Sequence, residues 1–219
     1  MELQTALEGR RSIRRFQDSP VSAETLACIA DAAAMAPSWK NSQVTRYYAV
    51  TDPEKRRRII ESMPAFNRPA CESAPVIVAV SMVRNRSGYD RDGSFSTSKE
   101  KGWQMFDCGC SAMAFALKAH ELGLGTVIMG YCDEAVAVEV TGMPETEEVG
   151  PILALGYPDE SPQMPKRKMS DQILHILSRL FRNLWTNAVL VKSAAFVRIE
   201  KRQCPESFRR AHYLHPGGA

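Results

Sequence analysis

Five residues, Val76-Ile77-Val78-Ala79-Val80, narrow the architecture more than any other stretch of the chain. They follow Pro75 as an unbroken apolar run, with no alternate polar residue to mark a face turned to water. A strand of that kind is buried on both sides. The second constraint is residues 107–122, where Asp107 is placed to cap a helix, Gly123 ends it, and the Ala, Met and Leu residues between leave almost no polar side. A helix apolar nearly all round is a central one. Such a strand and helix call for layers packed about a sizeable core, which 219 residues with 44% hydrophobic content can supply.

The remaining elements can be read in order. Leu3 and Leu7 mark a short helix over 1–9. Ser22 is a plausible N-cap for a helix with Leu26, Ile29, Ala30 and Ala33 as its apolar face, and Pro37 lies just past its end. Ser38-Trp39-Lys40-Asn41-Ser42-Gln43 is a polar turn before a strand at Tyr47–Val50. Asp52-Pro53-Glu54 opens a helix running to Met63, and residues 84–102 read as a long polar loop or partly helical lid. Strands are expected at 126–130 and 151–155, with a helix over 133–141 between them and a last short helix over 173–177.

Composition excludes some classes and leaves others open. The six cysteines, Cys28, Cys71, Cys108, Cys110, Cys132 and Cys204, are scattered, and no signal-peptide pattern precedes them, so reduced thiols and a cytoplasmic location are expected. Cys108-Gly109-Cys110 has no second pair and no His at ligand spacing, which argues against a zinc site. No apolar run reaches the roughly 20 residues that span a bilayer. The formal net charge of +3 is uneven: residues 178–219 hold eight Lys and Arg against two Asp and Glu, leaving 20 against 23, or −3, for residues 1–177. Nucleic acid is therefore not an expected partner of the main body, and a tail-mediated binding role would rest on residues 178–219 alone.

Arg10-Arg11-Ser12-Ile13-Arg14-Arg15-Phe16 concentrates four arginines and a serine in seven residues. A run of this kind serves as a solvated basic face or as an anion site, because guanidinium forks and a hydroxyl match phosphate oxygens. Lys166-Arg167-Lys168 is a second basic cluster. If the two converge they form a phosphate site. The body then holds the parts of a flavin pocket, with Ser38 and Asn41 for polar groups of the cofactor and backbone near Gly130 against its ring. None of the four histidines reads as catalytic: His120 and His175 fall on helices, and His212 and His215 in the tail.

Five pieces in order carry a resemblance to the nitroreductase family of flavin enzymes. They are Arg10 through Phe16; Ala36-Pro37-Ser38 with Asn41-Ser42-Gln43; Trp103-Gln104-Met105-Phe106-Asp107 leading to Gly123-Leu124-Gly125-Thr126; Leu155-Gly156-Tyr157-Pro158; and Lys166-Arg167-Lys168. The likeness covers residues 1–177 as one FMN-binding domain, with residues 178–219 left as an atypical basic extension whose composition from Lys201 onward is that of a disordered tail. It implies an α+β fold with a central, mostly antiparallel sheet flanked by helices, assembled as an intertwined homodimer.

By the same resemblance, Arg10, Arg11 and Ser12 hold the phosphate and ribityl end of FMN, with Ile13 between them and Arg14 beside the pyrimidine. Ser38 and Asn41 approach from the partner subunit, Ile128, Met129 and Gly130 lie along the ring with the Gly130 amide toward N5, and Arg167 with Lys166 closes on the phosphate. Asn67 stands near a position some members use to grip the pyrimidine, at shifted spacing. The implied activity is ping-pong electron transfer from NADH or NADPH through FMN to a small-molecule acceptor such as a nitroaromatic or quinone. A reductive dehalogenase and a flavin-consuming relative are the alternatives on the same fold.

Overall fold

The computed structural model describes residues 1–177. The expectations for residues 178–219 lie outside the described residues. The chain divides into a unit spanning Met1–Pro165 and a second beginning at Lys166. In the first unit, α1 (Leu3–Gly9) and α2 (Ala23–Ala34) precede a 3-10 turn (Trp39–Asn41) and β1 (Thr45–Val50). Helices α3 (Pro53–Ser62) and α4 (Arg68–Glu72) then lead to β2 (Val76–Val83). The long α5 (Gly102–Glu121), β3 (Gly125–Met129), α6 (Glu134–Thr141) and β4 (Glu147–Gly156) complete it. In the second unit, α7 (Ser170–Ile173) is a single exposed turn.

The four strands form one sheet in the order β1-β2-β4-β3, antiparallel at every junction. β2 and β4 sit at its centre in the register Val76↔Leu155, Val78↔Leu153 on one face and Ile77↔Ala154, Ala79↔Ile152 on the other. Alternation then decides the layers. Val76, Val78, Val80, Leu153 and Leu155 pack with Ile29 and Ala33 of α2 and with Cys108, Phe115 and Ala119 of α5. Ile77, Ala79, Ile152 and Ala154 pack with Ile59 and Ile60 of α3, Cys71 of α4 and Val140 of α6. The sheet is thus covered on both faces, as the Val76–Val80 run requires.

Local chemistry sets the element ends. Ser22 accepts from the Thr25 N–H at 3.2 Å, Asp52 from Lys55 at 2.9 Å, and Asp133 from Ala135 at 3.0 Å, so α2, α3 and α6 each begin on a side-chain cap. Three readings need correction. α5 starts at Gly102, one turn earlier than Asp107, so Asp107 is a buried interior residue and not its cap. α7 ends where the last helix was expected to begin. The short α4 was not anticipated, because its five residues, Arg68 to Glu72, are too few to display a period.

The arginine segment is fastened to the sheet margin rather than woven into it. Ser12 makes a parallel bridge to Thr126 and Phe16 an antiparallel one to Pro158. The Ile13 N–H donates to the Thr126 carbonyl at 3.0 Å, and the Gln17 N–H to Tyr157 at 2.9 Å. Ile13 and Phe16 turn inward and are buried, while Arg14 and Arg15 are exposed. The segment lies so close to β3 that a Cβ added at Gly125 would stand 2.5 Å from Ile13 Cγ1 and 2.7 Å from its Cβ. Gly125→Val is therefore expected to lower unfolding stability by about 1–3 kcal/mol through overpacking, read from urea denaturation. A variant as stable as the parent would show that the segment shifts freely on β3.

Candidate active site

The first arginines open onto a cleft of about 390 Å³ whose walls include Arg10, Arg11, Ile13, His120, Thr126 and Glu160. Four parts of the chain build it: the end of α1 with the arginine segment after it, the last turns of α5, the start of β3, and the stretch after β4. Gly9 matters here for what it lacks. A Cβ at that position would lie 2.6 Å from His120 Nε2, so the bare backbone lets the imidazole sit against the end of α1. Burial first, and then the charges of Arg10 and Arg11, hold His120 below its ordinary value of 6.5. The cleft thus gathers two guanidinium groups and an imidazole, a donor set suited to an anion with several oxygens. His120 was legible only as a helix residue; its place in the cleft needs the packing of α5 against α1.

Arg14 turns away from this cleft and is exposed, its Nη1 3.5 Å from the Ser12 carbonyl. Its backbone N–H donates to the Glu160 carboxylate, which also lies 3.7 Å from Arg15 Nε. Along β3, Ile128 is 46% exposed whereas the Met129 side chain is buried, its sulfur 3.8 Å from Cys71 Sγ. Only the backbone of Met129 can face a ligand. A Cβ at Gly130 would touch nothing within 4 Å, so this strand end is open. Next to it, exposed Tyr131 meets exposed Phe66 edge to face with centroids 6.0 Å apart. This aromatic pair, which no local pattern marks, brings the residue preceding Asn67 to the end of β3.

Ser38 and Asn41 belong to the polar turn and do not line the arginine cleft. The turn is unusual in its backbone, with Lys40, Asn41 and Gln43 at φ 48°, 54° and 46°. Ser38 Oγ accepts from the Gln43 N–H at 2.9 Å, and Gln43 Nε2 donates to Asn41 Oδ1 at 3.1 Å. A small cavity of about 130 Å³ behind it is lined by Ser38, Gln43, Asp107 and Ser111, among others. The loop of residues 84–101 is tied to this turn where Lys40 pairs with Asp90 at 2.9 Å, and the turn meets the first turn of α5 where Trp39 and Trp103 stand 4.9 Å apart between centroids. The hydrogen bonds of Lys40 and Ser96 hold the Asp90 carboxyl below its usual range. Lys166 and Arg167 belong to the second unit and are exposed.

Taken together, an antiparallel sheet between two helical layers, with a basic segment on its margin and an open strand end beside it, defines an α+β protein with a basic cleft at the margin of its sheet. The family model described as "Nitroreductase family" matches residues 7–65 and 62–157. The chain belongs to the nitroreductase family. A relative from Methanothermobacter thermautotrophicus, which carries the name of an NADH dehydrogenase/NAD(P)H nitroreductase, is 30% identical over 168 residues, covering 74% of this chain and 80% of its own length. An FMN reductase [NAD(P)H] from Bacillus subtilis is 28% identical over 186 residues, covering 78% of this chain and 73% of its own. Among solved structures, a nitroreductase in complex with FMN from Exiguobacterium sibiricum superposes with a TM-score of 0.70 at 20% identity, covering 81% of this chain and 98% of that one. At that identity the superposition establishes the fold.

The His120 environment has a measurable consequence. Because its folded value lies below 6.5, the unfolded chain binds the proton more readily. Unfolding stability should therefore be full above about pH 6.5, where this group adds no pH dependence, and should fall as pH drops below that toward the folded value. Urea midpoints at pH 7.5 and 5.5 should differ less in His120→Gln than in the parent, and an unchanged difference would mean that His120 is not held neutral.

Proposed function

We propose that the chain is an NAD(P)H-dependent flavin oxidoreductase that passes electrons to a small electrophilic acceptor such as a nitroaromatic or a quinone. The observation that carries this reading is the cleft in which Arg10 and Arg11 share a wall with His120, beside an uncovered strand end at Gly130. These residues fit FMN. Two guanidinium groups suit the phosphate, the Ser12 hydroxyl suits the ribityl chain, and the open backbone from Ile128 to Gly130 suits a flat ring whose edge carries hydrogen-bonding atoms. The names of the relatives, which include FMN reductase and NAD(P)H nitroreductase, agree with it.

When bound, FMN supplies the redox chemistry by taking a hydride from NADH or NADPH and giving up electrons to the acceptor. The chain's residues position and tune. Arg10, Arg11 and Ser12 would hold the phosphate end, and Arg14 would place positive charge by the pyrimidine. Gly130 would offer its amide to the ring, its missing side chain permitting close approach. Phe66 and Tyr131 would flank the space where nicotinamide and acceptor sit in turn, a shared position that makes the reaction ping-pong.

The site also calls for a second copy. Met105, Phe106 and Met113 project from α5 as an exposed apolar strip, and Met35 after α2 is 82% exposed. Apolar exposure on this scale suits an interface, and a homodimer would bring the Ser38–Asn41 turn of one subunit to the flavin of the other. Sedimentation of the purified protein at twice its 24.4 kDa mass is expected, and a monomer at micromolar concentration would refute the shared site.

A visible spectrum tests the function. The protein purified with FMN, or loaded with it, should bleach on anaerobic addition of NADPH or NADH and recover with a quinone. Arg10→Ala should weaken FMN binding by about 1.5–3 kcal/mol, the range for a hydrogen bond to a charged group. Failure of the parent chain to bind FMN would end this reading.

A further inference from the structure

Asp107 is the most connected buried carboxylate of the described residues. Its side chain is 3% exposed, and a single oxygen, Oδ2, accepts from the Trp39 N–H at 2.9 Å, the Ser42 hydroxyl at 3.3 Å and the Ser87 hydroxyl at 2.7 Å. No ion pair to it occurs among the described residues, so hydroxyls and an amide, not a cation, compensate the cost of burying the group. The three donors come from two segments far apart in sequence. Trp39 and Ser42 bracket the left-handed residues Lys40 and Asn41, whereas Ser87 opens the 84–101 loop.

We propose that Asp107 is a positioning residue that fixes the Ser38–Gln43 turn and couples it to the 84–101 loop, so that flavin binding at the turn orders the loop. The proposal rests on the reading that Ser38 and Asn41 meet FMN. The geometry favours coupling over simple anchoring, because turn and loop share one acceptor atom. A shift of the turn moves the carboxylate, and the carboxylate moves Ser87. One further contact joins turn to loop directly, the solvent-exposed Lys40–Asp90 pair, which is weak beside the buried hydrogen bonds, and the Trp39–Trp103 ring contact ties the turn to the first turn of α5. Trp103 in turn donates from Nε1 to Thr97 Oγ1 at 2.8 Å, which carries the connection to the far side of the loop.

The test compares the full-length parent with Asp107→Asn and Ser87→Ala, using FMN titration and hydrogen–deuterium exchange with and without FMN. In the parent, FMN should slow exchange in peptides covering both 38–43 and 87–97. Asp107→Asn, which keeps the size but loses the charge, should raise the FMN dissociation constant by about tenfold or more. It should also speed exchange of both segments without FMN while leaving peptides of β2 and β4 unchanged, a selectivity that a loss of overall stability would not produce. Ser87→Ala cuts only the loop arm: FMN affinity should stay within about twofold, and protection of 87–97 by FMN should disappear. If Asp107→Asn speeds exchange throughout the sheet, Ser87→Ala decides, since continued loop protection in that variant overturns the coupling. Parent-like affinity and exchange in Asp107→Asn overturns it as well and leaves the flavin reading standing, whereas a parent chain that binds no FMN removes both.

Discussion

The contact of Ile13 with Gly125 is the join on which the site depends. β3 is an edge strand, paired to β4 on one side, and an edge left bare offers a row of unsatisfied backbone groups. The arginine segment covers the start of that edge through the Ser12–Thr126 bridge, and the absent side chain at Gly125 lets it approach closely enough for the Ile13 N–H to reach the Thr126 carbonyl. From Thr126 the cover stops. Ile128 to Gly130 continue with no strand partner on that side among the described residues. One docking event therefore does two things: it delivers arginines to the margin of the sheet and leaves the rest of the same edge open.

The two-sided core explains why that margin is rigid. β4 binds both β2 and β3, and its side chains alternate between Leu153 and Leu155 on one face and Ile152 and Ala154 on the other. Slipping the register by one residue would exchange these sets and leave each helical layer facing the wrong side chains. With β4 held, the segment after Gly156 is held too, and it is this segment that supplies Pro158 to Phe16 and Glu160 to the Arg14 amide. The cleft inherits its shape from the centre of the sheet. An anion entering it meets groups already oriented, which spares the cost of ordering long side chains on binding.

How much of this could be read beforehand follows physical lines. β2 is legible because burial on both faces leaves a continuous apolar run, and the Ser22 cap and the helix start at Asp52 are legible because their signals lie within three residues. The family likeness was legible from motifs in order. Asp107 misled, since an acidic residue before an apolar run has the look of a cap, and nothing local reveals that Gly102 has already begun the helix. His120 and the Phe66–Tyr131 pair were invisible for a different reason. Their meaning comes from contacts across more than sixty positions, His120 against Gly9 and Phe66 against Tyr131, and local periodicity carries no information at that range.

The polar turn shows how such long-range contacts reshape local chemistry. Lys40, Asn41 and Gln43 all occupy the left-handed region, which disfavours residues with a Cβ by roughly 1–2 kcal/mol each. A free peptide of this sequence would leave that conformation. What offsets the strain comes from outside the turn and from its own ends: hydrogen bonds to the Asp107 carboxylate, each worth about 1.5–3 kcal/mol because the acceptor is charged, and the Gln43 N–H on Ser38 Oγ. The two sums are of similar size, so the turn holds its shape only while Asp107 is in place. A conformation balanced in this way presents Asn41 to solvent with its backbone already bent, the condition under which a polar loop can bind a rigid ligand without first being ordered by it.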